Sequence, residues 1–233
     1  MNLNRELKNA FTKPNTKTFR LTSDFFAGLT ILSIVSLVLE TVPSLSPYQS
    51  LFLAIEWIAV ALFSFEYMAR LYTSNPSWKY VTSFFGIVDL VSILPTFLGL
   101  GNFTFLKSAR VLRIIRMLRM VRLAKMSRRG VSDENMGVMT FNVLIYFVTL
   151  LSALLLTGTA MYLTEPNQPD FSSIPAGMWW SLKVFMAGIP VSSPVTEIGE
   201  FFFVVTRFIG LLLLGLLIGV VGNVFRVLLM GKR

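Results

Sequence analysis

Basic side chains recur at every third position in one otherwise apolar stretch near the middle of the chain. A helix turns about 100° per residue, so each cation lies about 60° behind the one before it. The cations therefore spiral slowly around the helix, whereas a 3₁₀ helix would align them in a straight row. Spaced arginines within a membrane couple charge to the membrane field, so the stretch predicts a voltage-sensing helix. Its predicted gating charges are Lys107, Arg110, Arg113, Arg116, Arg119, Arg122 and Lys125.

Two other interpretations of a basic helix are binding to an anionic membrane surface and binding to nucleic acid. A helix that lies on a surface keeps its charges on one face by spacing them three and four residues apart. The strict three-residue step of this stretch does not do so. The sequence therefore favours the voltage-sensing helix, and we expect no nucleic-acid partner.

The composition is that of a membrane protein. The chain has 233 residues, of which 54% are hydrophobic and 14% charged, and its net charge is +9. Nine of the 21 Lys and Arg residues lie between Lys107 and Arg129, and the other 12 equal the 12 acidic residues. Without Cys or His, the chain has no disulfide, thiolate or imidazole metal site and no imidazole catalysis. We therefore expect neither an enzyme nor a metal or other cofactor.

Apolar segments predict six membrane spans and one re-entrant segment. The re-entrant segment is 174–187, which is apolar but too short to cross a membrane. Ser172 or Ser173 is expected to cap its start, and Trp179 and Trp180 to wedge it against the surrounding helices. The spans are expected at about 24–42, 50–73 and 81–99, in the arginine stretch, and at about 136–163 and 198–229.

The distribution of Lys and Arg predicts the topology. The loops at 43–49 and 99–104 carry no Lys or Arg, whereas Arg70, near the end of the second span, and Lys79, after it, lie on the predicted inner side. Both termini are therefore expected in the cytoplasm, with the protein in the inner membrane of the cell. We expect neither a cleavable signal peptide nor room for a cytoplasmic ligand-binding domain.

Acidic residues within the predicted spans are costly and mark partners for the arginines. Glu56, Phe63 and Glu66 lie on one helical face, because steps of seven and three residues return to it. At a rise of 1.5 Å per residue, Glu56 lies about 15 Å from Glu66, with Phe63 between them. The pattern predicts an outer acid, an aromatic plug and an inner acid, with Asp89 of the next span joining the inner acid. The alternatives are a static arginine helix that these acids neutralise and ordinary core packing for Phe63.

Several segments resemble the voltage-gated potassium-channel family of the six-helix cation channels, and the resemblance covers about residues 25–230. FSFEYMARL (63–71) resembles the second helix of that family, FGIVDLVSILP (85–95) the third, and RIIRMLRMVRLAKMSRR (113–129) the fourth. FSSIPAGMWWSL (171–182) resembles its pore helix, and LLIGVVGNVF (216–225) is most similar to the last helix of the bacterial members.

The resemblance implies an all-α membrane protein that assembles as a homotetramer around one pore, in contact with membrane lipid and permeant ions. Residues 1–22 would form a cytoplasmic segment, 23–129 a four-helix voltage-sensor domain, and 130–233 a pore domain of two helices and a re-entrant pore helix. Matched position by position, the countercharges are Glu56, Glu66 and Asp89, the charge-transfer aromatic is Phe63, and the gating charges are Arg110 to Arg122.

The potassium filter of that family, a Thr-Val-Gly-Tyr-Gly run, is not matched after the pore helix. Only one residue of the corresponding segment, Gly188, clearly agrees with it. Pro190 takes the place of the second glycine, and its locked φ does not allow the conformation that this glycine supplies. We therefore expect no ordinary potassium selectivity. The segment consists of Met186, Ala187, Gly188, Ile189, Pro190 and Val191.

Lys183 is a second departure, because it places a cation within the predicted pore helix. Four copies near a pore axis would disfavour cations and permit anions. Alternatively, Lys183 points away from the axis and either snorkels outward or pairs with Asp170, Glu197 or Glu200. In the last span, Gly215 and Gly219 permit either close helix packing or a gating hinge.

A second class of function is compatible with the same sequence. The chain would then be a voltage-sensing membrane protein that has no ion flux of its own, or that has an anion-permeable or proton-permeable path. The six-helix plan favours the channel, whereas the unusual filter segment favours this alternative.

Overall fold

The computed structural model describes residues 10–11, 16–74, 76–100, 119 and 138–230. In these ranges every regular element is a helix, in agreement with the predicted all-α fold. Two 3₁₀ helices, Pro43–Tyr48 and Pro169–Phe171, lie in connections. The α-helices are α1 (Lys17–Glu40), α2 (Gln49–Thr73), α3 (Ser77–Val81), α4 (Phe84–Leu100), α5 (Val138–Thr164), α6 (Ile174–Phe185) and α7 (Glu197–Met230).

Four helical segments of the described chain are long and apolar enough to cross a membrane. They correspond to the first, second, fifth and sixth predicted spans. Helix α4 has 17 residues, continues through Pro95, and occupies the third predicted span at the lower limit of length for a crossing. The fourth predicted span lies outside the described residues except for Arg119. The four segments are Lys17–Glu40, Pro43–Thr73, Asn142–Thr164 and Glu197–Arg226.

The chain forms two compact units. The first comprises Met1–Glu40 and Ser46–Gly130, and in it α2 contacts α1, α3 and α4. The second comprises Thr41–Leu45 and Val131–Arg233, and in it α5, α6 and α7 contact one another. The domain boundary predicted at residues 129 and 130 lies outside the described residues and stays a prediction.

The first unit exposes apolar side chains and buries polar ones. On α1, Phe25 and Ile31 are exposed, whereas Thr30 and Ser33 are at most 2% exposed. Thr30 donates to the carbonyl of Phe26, one turn earlier. In a lipid environment polar side chains turn to the bundle interior, where partners satisfy them. The interior of the first unit therefore holds buried polar side chains beside its apolar core.

The second unit is built around the short helix α6. Its core contains Met161, Phe171, Trp180 and Val184. Helices α5 and α6 lie so close together that a Cβ atom on Gly177 would be only 2.4 Å from a carbonyl oxygen of α5. This contact requires glycine, and it fixes α6 against the longer helix.

Candidate functional site

Arg119 is fully buried in the first unit, where three helices bind its guanidinium group. Its Nη1 and Nη2 donate to the two carboxylate oxygens of Glu56 on α2, at 2.7 and 2.6 Å. Nη1 also donates to Ser33 Oγ on α1 at 2.6 Å, and Nε donates to the Ser92 carbonyl on α4 at 3.0 Å. We name these groups the Arg119 site.

The Arg119 site combines a bidentate ion pair with extra hydrogen bonds. The side chains of Arg119 and Glu56 are 1% and 8% exposed. A buried ion pair is stable only when further hydrogen bonds offset the loss of hydration. Ser33 and the Ser92 carbonyl supply such bonds, so a cation can remain charged in this interior.

Phe63 lies beside the same guanidinium and is fully buried. The guanidinium carbon of Arg119 is 5.9 Å from the centroid of the Phe63 ring, within the range of a cation–π contact. Phe63 also belongs to the apolar core of the unit. Core packing and contact with a cation are therefore both features of this side chain.

The two inner acids have partners that the sequence did not indicate. Glu66 Oε1 accepts from Arg70 Nε at 2.8 Å and from Arg70 Nη2 at 2.6 Å, one helical turn away. Asp89 accepts from the hydroxyl of Tyr80. Burial raises the pKa of the Tyr80 phenol, and the negative charge of Asp89 raises it further. The phenol therefore stays protonated and donates to the carboxylate.

Trp180 joins α6 to the segment that follows it. Its Nε1 donates to the Ser192 carbonyl at 3.0 Å, and its ring lies 5.1 Å from Phe171 and 5.4 Å from Phe203, centroid to centroid. Trp180 is 1% exposed, whereas Trp179 is 63% exposed. Within the described chain, only one of the two tryptophans wedges the helix as predicted.

Replacing Trp180 with Phe keeps an aromatic ring but removes the N–H donor. The Ser192 carbonyl then loses this partner, and we expect the free energy of unfolding to fall by about 1–3 kcal/mol. Thermal unfolding of the purified protein measures the change. Trp179→Phe is the matched control and should have little effect. Equal destabilisation by the two substitutions would contradict the role of the hydrogen bond.

Specific contacts or backbone conformations mark both ends of α6. At its start, Ser173 Oγ accepts from the Ala176 N–H at 3.3 Å, as predicted for one of the two serines. The Ile174 N–H donates to Thr41 Oγ1 at 2.9 Å, across 133 residues of sequence. Beyond its end, Ala187 and Gly188 have φ angles of 42° and 96°. A left-handed conformation costs an alanine about 1–2 kcal/mol, so this turn is strained at the second residue of the segment Met186 to Val191.

Glu165 ties the end of α5 to the start of α7. It is 2% exposed, and its Oε1 accepts from the Val195 N–H at 3.0 Å, and from the Thr196 N–H and hydroxyl at 2.8 and 2.7 Å. Its Oε2 accepts from Gln168 Nε2 at 3.0 Å. Burial alone would raise the pKa of Glu165, but these hydrogen bonds outweigh burial and lower it. The carboxylate is therefore held in its charged form.

Three cations lie in the helices of the second unit: Lys183 on α6, and Arg207 and Arg226 on α7. Lys183 on α6 is partly exposed, and within the described chain it forms no ion pair with Asp170, Glu197 or Glu200. The pairing considered for Lys183 from the sequence is therefore not observed. Arg207 on α7, which the sequence analysis did not single out, lies over the Phe203 ring at 4.4 Å.

Helix α7 runs unbroken past Gly215 and Gly219. A Cβ atom at either position would have no heavy atom within 4 Å, so the described chain gives no close packing there. The two glycines border a cavity of about 310 Å³ that Asn142, Ile145, Leu216 and Val220 also line. The hinge at these positions stays a prediction.

The ion transport protein family model matches residues 20–228 of this chain. The chain belongs to the ion transport protein family. It is 31% identical to the "Putative potassium channel protein" of Rhodopseudomonas palustris over 86% of this chain and 52% of that protein. It is 28% identical to the potassium voltage-gated channel protein Shal of Drosophila melanogaster, over 78% of this chain and 35% of that protein. An A-type voltage-gated potassium channel of Homo sapiens is 26% identical, over 93% of this chain and 36% of that protein.

These similarities confirm the predicted family and the all-α, multi-pass membrane fold. They also confirm the expectation that the chain is not an enzyme, because the matched family and relatives transport ions. The chain spans about half the length of the bacterial relative and about a third of the two animal relatives.

The described residues bring only part of the predicted site together. Arg119 contacts both Glu56 and Phe63. Glu66 pairs with Arg70, and Asp89 accepts a hydrogen bond from Tyr80. The sequence analysis missed the site role of several residues, because a single serine, threonine, tyrosine or loop acid gives no periodic signal and Arg70 was used only to predict the topology. Those missed are Ser33, Ser92, Arg70, Tyr80, Thr41 and Glu165. The predicted gating charges outside the described residues are Lys107, Arg110, Arg113, Arg116, Arg122 and Lys125.

Proposed function

We propose that the chain forms a voltage-gated ion channel. The observation that carries this proposal is the burial of Arg119 against Glu56, Ser33 and Ser92. Arg119 belongs to a row of cations three residues apart. If one member of the row fits an acidic site inside a membrane bundle, the next members fit the same site after a shift of three residues.

The proposed mechanism is a stepwise transfer of the cations along one path. Depolarisation moves the arginine row outward past Phe63, and each cation passes from Glu66 and Asp89 towards Glu56. Moving one charge through 100 mV changes the energy by about 2.3 kcal/mol, so about three charges in each of four subunits supply tens of kcal/mol. This energy exceeds a gating bias of a few kcal/mol. Arg70 is itself a cation that pairs with Glu66 on the same helix, and it does not belong to the moving row.

The second unit provides the proposed pore. The linker at about 126–135 pulls on α7 near Phe225, and Gly215 or Gly219 serves as the hinge. Four copies assemble around one axis, and lipid covers the remaining apolar surface. Large exposed apolar side chains on α7, among them Leu211, Leu212 and Ile218, support burial against lipid or other subunits. We place the protein in the inner cell membrane with both termini in the cytoplasm.

The filter segment makes strict potassium selectivity unfavourable, although the relatives are named as potassium channels. A carbonyl-lined potassium filter needs a backbone that Pro190 does not adopt. Met186 also replaces a side-chain oxygen donor with a thioether. We infer that the pore conducts ions without strong preference for potassium over sodium.

Recording from the full chain in planar bilayers tests the proposal. Voltage steps should evoke currents, and gradients of sodium, potassium and chloride applied in turn give the permeability ratios. A strong preference for potassium over sodium contradicts the proposed filter but leaves the channel in place. Charge movement without current supports the second candidate, a voltage sensor without ion flux, which the unusual Ala187 to Pro190 turn favours. Absence of both contradicts a voltage-dependent role.

Neutralising Arg116 to Gln tests the gating charges directly. Arg116 lies one step before Arg119 in the row, so we expect the charge moved per subunit to fall by up to about one elementary charge. Gating-current recording, normalised to the amount of protein, measures this change. Lys17→Gln removes a cation outside the row and should leave the moved charge unaltered. Unchanged charge movement in the Arg116 variant would contradict the mechanism.

A further inference from the structure

The Arg119 site has more acceptors than charge neutralisation requires. Glu56 alone supplies a full negative charge and two oxygens to the guanidinium. Ser33 Oγ and the Ser92 carbonyl add two neutral acceptors, from α1 and α4, at 2.6 and 3.0 Å. Both serines are at most 2% exposed. Because these two acceptors are neutral, they add no net charge that attracts a cation. Their positions instead determine which kind of cation fits the site.

We propose that Ser33 and the Ser92 carbonyl make the Arg119 site selective for a guanidinium group over an ammonium group. Arginine therefore occupies the site stably, and lysine does not. The consequence for gating rests on the proposed function. The selectivity itself is a property of the folded site and can be measured without any current.

The donors of the two side chains explain the selectivity. A guanidinium directs N–H groups outward from three nitrogens in one plane, and here Nε, Nη1 and Nη2 each have an acceptor. An ammonium group has three donors on one nitrogen, at the end of a longer flexible stem. It cannot reach acceptors that are spread around the edge of a planar fork. A lysine would therefore lose at least one of these hydrogen bonds to a charged donor in a site closed to water, which is costly.

Phe63 adds to the same preference. Its ring lies 5.9 Å from the guanidinium carbon. A planar guanidinium stacks on aromatic faces and is more weakly hydrated than an ammonium group, so it loses less on entering this interior. Glu56, the two serines and Phe63 therefore all favour a guanidinium group over an ammonium group.

The order of arginines and lysines in the row connects this selectivity to the movement of the row. Five consecutive arginines, from Arg110 to Arg122, are flanked in the row by Lys107 and Lys125. A site that holds arginine and rejects lysine accepts the five arginines and neither lysine. We infer that the two lysines limit how far the row can move in each direction.

A double-mutant cycle tests the selectivity. The variants are Arg119→Lys, Ser33→Ala and the double variant, and thermal unfolding of the purified full chain is measured for each. We expect Ser33→Ala to lower the unfolding midpoint by about 4 °C when residue 119 is Arg, and by much less when it is Lys. Ser36→Ala, which removes another buried hydroxyl from α1, is the matched control and should have a smaller effect.

Two results would overturn the proposal. One is an Arg119→Lys variant as stable as the parent, and the other is a loss from Ser33→Ala that is equal with Arg and with Lys at residue 119. If the Lys variant does not fold, the comparison of Ser33→Ala with Ser36→Ala decides, because equal losses contradict a special role for Ser33.

Charge-movement recording on the folded variants tests the gating role separately. If Ser33→Ala weakens the site tenfold, the voltage of half-maximal charge movement shifts by about 20 mV for three moving charges. An unshifted voltage, with the thermal cycle as expected, overturns the gating role alone. The absence of any charge movement in the parent chain contradicts the proposed function and leaves the selectivity standing.

Discussion

Replacing Glu56 with Gln should lower the free energy of unfolding by about 3–5 kcal/mol, because it leaves a buried guanidinium without its counter-charge. The amide keeps one oxygen for Arg119 but presents an NH₂ group where the second carboxylate oxygen accepted. Ser33 and Ser92 cannot compensate, since neither carries charge. Thermal or denaturant unfolding of the purified full chain measures the loss.

The same substitution should alter voltage sensing if the proposed function holds. Glu56 is the outer acid of the proposed path, so its neutralisation weakens the state in which Arg119 occupies the site. We expect the voltage of half-maximal charge movement to shift by at least 20 mV, the value for a tenfold change with three charges. Asp24→Asn removes an exposed acid from α1 and should change neither measurement. Comparable effects of the two substitutions would show that Glu56 has no special role.

The contrast between Glu56 and Ser33 shows which parts of the site the sequence could predict. An acid within an apolar span is rare and costly, so its presence alone predicted a cationic partner for Glu56. The sequence did not indicate which of the row's cations binds it, because a repeat of three gives each cation the same local pattern. Ser33 gave no signal, since serine is common in membrane helices and its partner lies 86 residues away.

The helices themselves were predictable from local features. The second span was predicted at 50–73 and α2 is Gln49–Thr73, because the apolar segment ends just before an Asn-Pro sequence, which favours a turn. The conformation of the filter segment was not predictable in the same way. Alanine rarely adopts a positive φ. Ala187 nevertheless does so, and the local sequence gives no signal for this conformation.

Glu165 in the second unit likewise has a structural role that the sequence did not indicate. Its replacement is the second substitution from which we expect a large loss of stability. The sequence analysis assigned Glu165 no role, yet its side chain accepts four hydrogen bonds, three of which tie the end of α5 to the residues that lead into α7. Glu165→Gln places an NH₂ group against backbone N–H donors. We expect a loss of about 2–4 kcal/mol in the free energy of unfolding, since hydrogen bonds to a charged acceptor are the stronger ones. Asp170→Asn, in the same loop but exposed, is the matched control and should cost little.

The stabilising effect of Glu165 should depend on pH in one direction. Hydrogen bonds hold the pKa of the folded carboxyl below its ordinary value of 4.5, so the folded state binds a proton less readily than the unfolded state. The contribution is therefore complete above pH 4.5 and is lost as the pH falls through 4.5 to the lower folded pKa. Unfolding midpoints measured from pH 7 to pH 3 should converge for the parent chain and Glu165→Gln at the acidic end. A constant difference across this range would mean that the charge of Glu165 is not what holds α5 to α7.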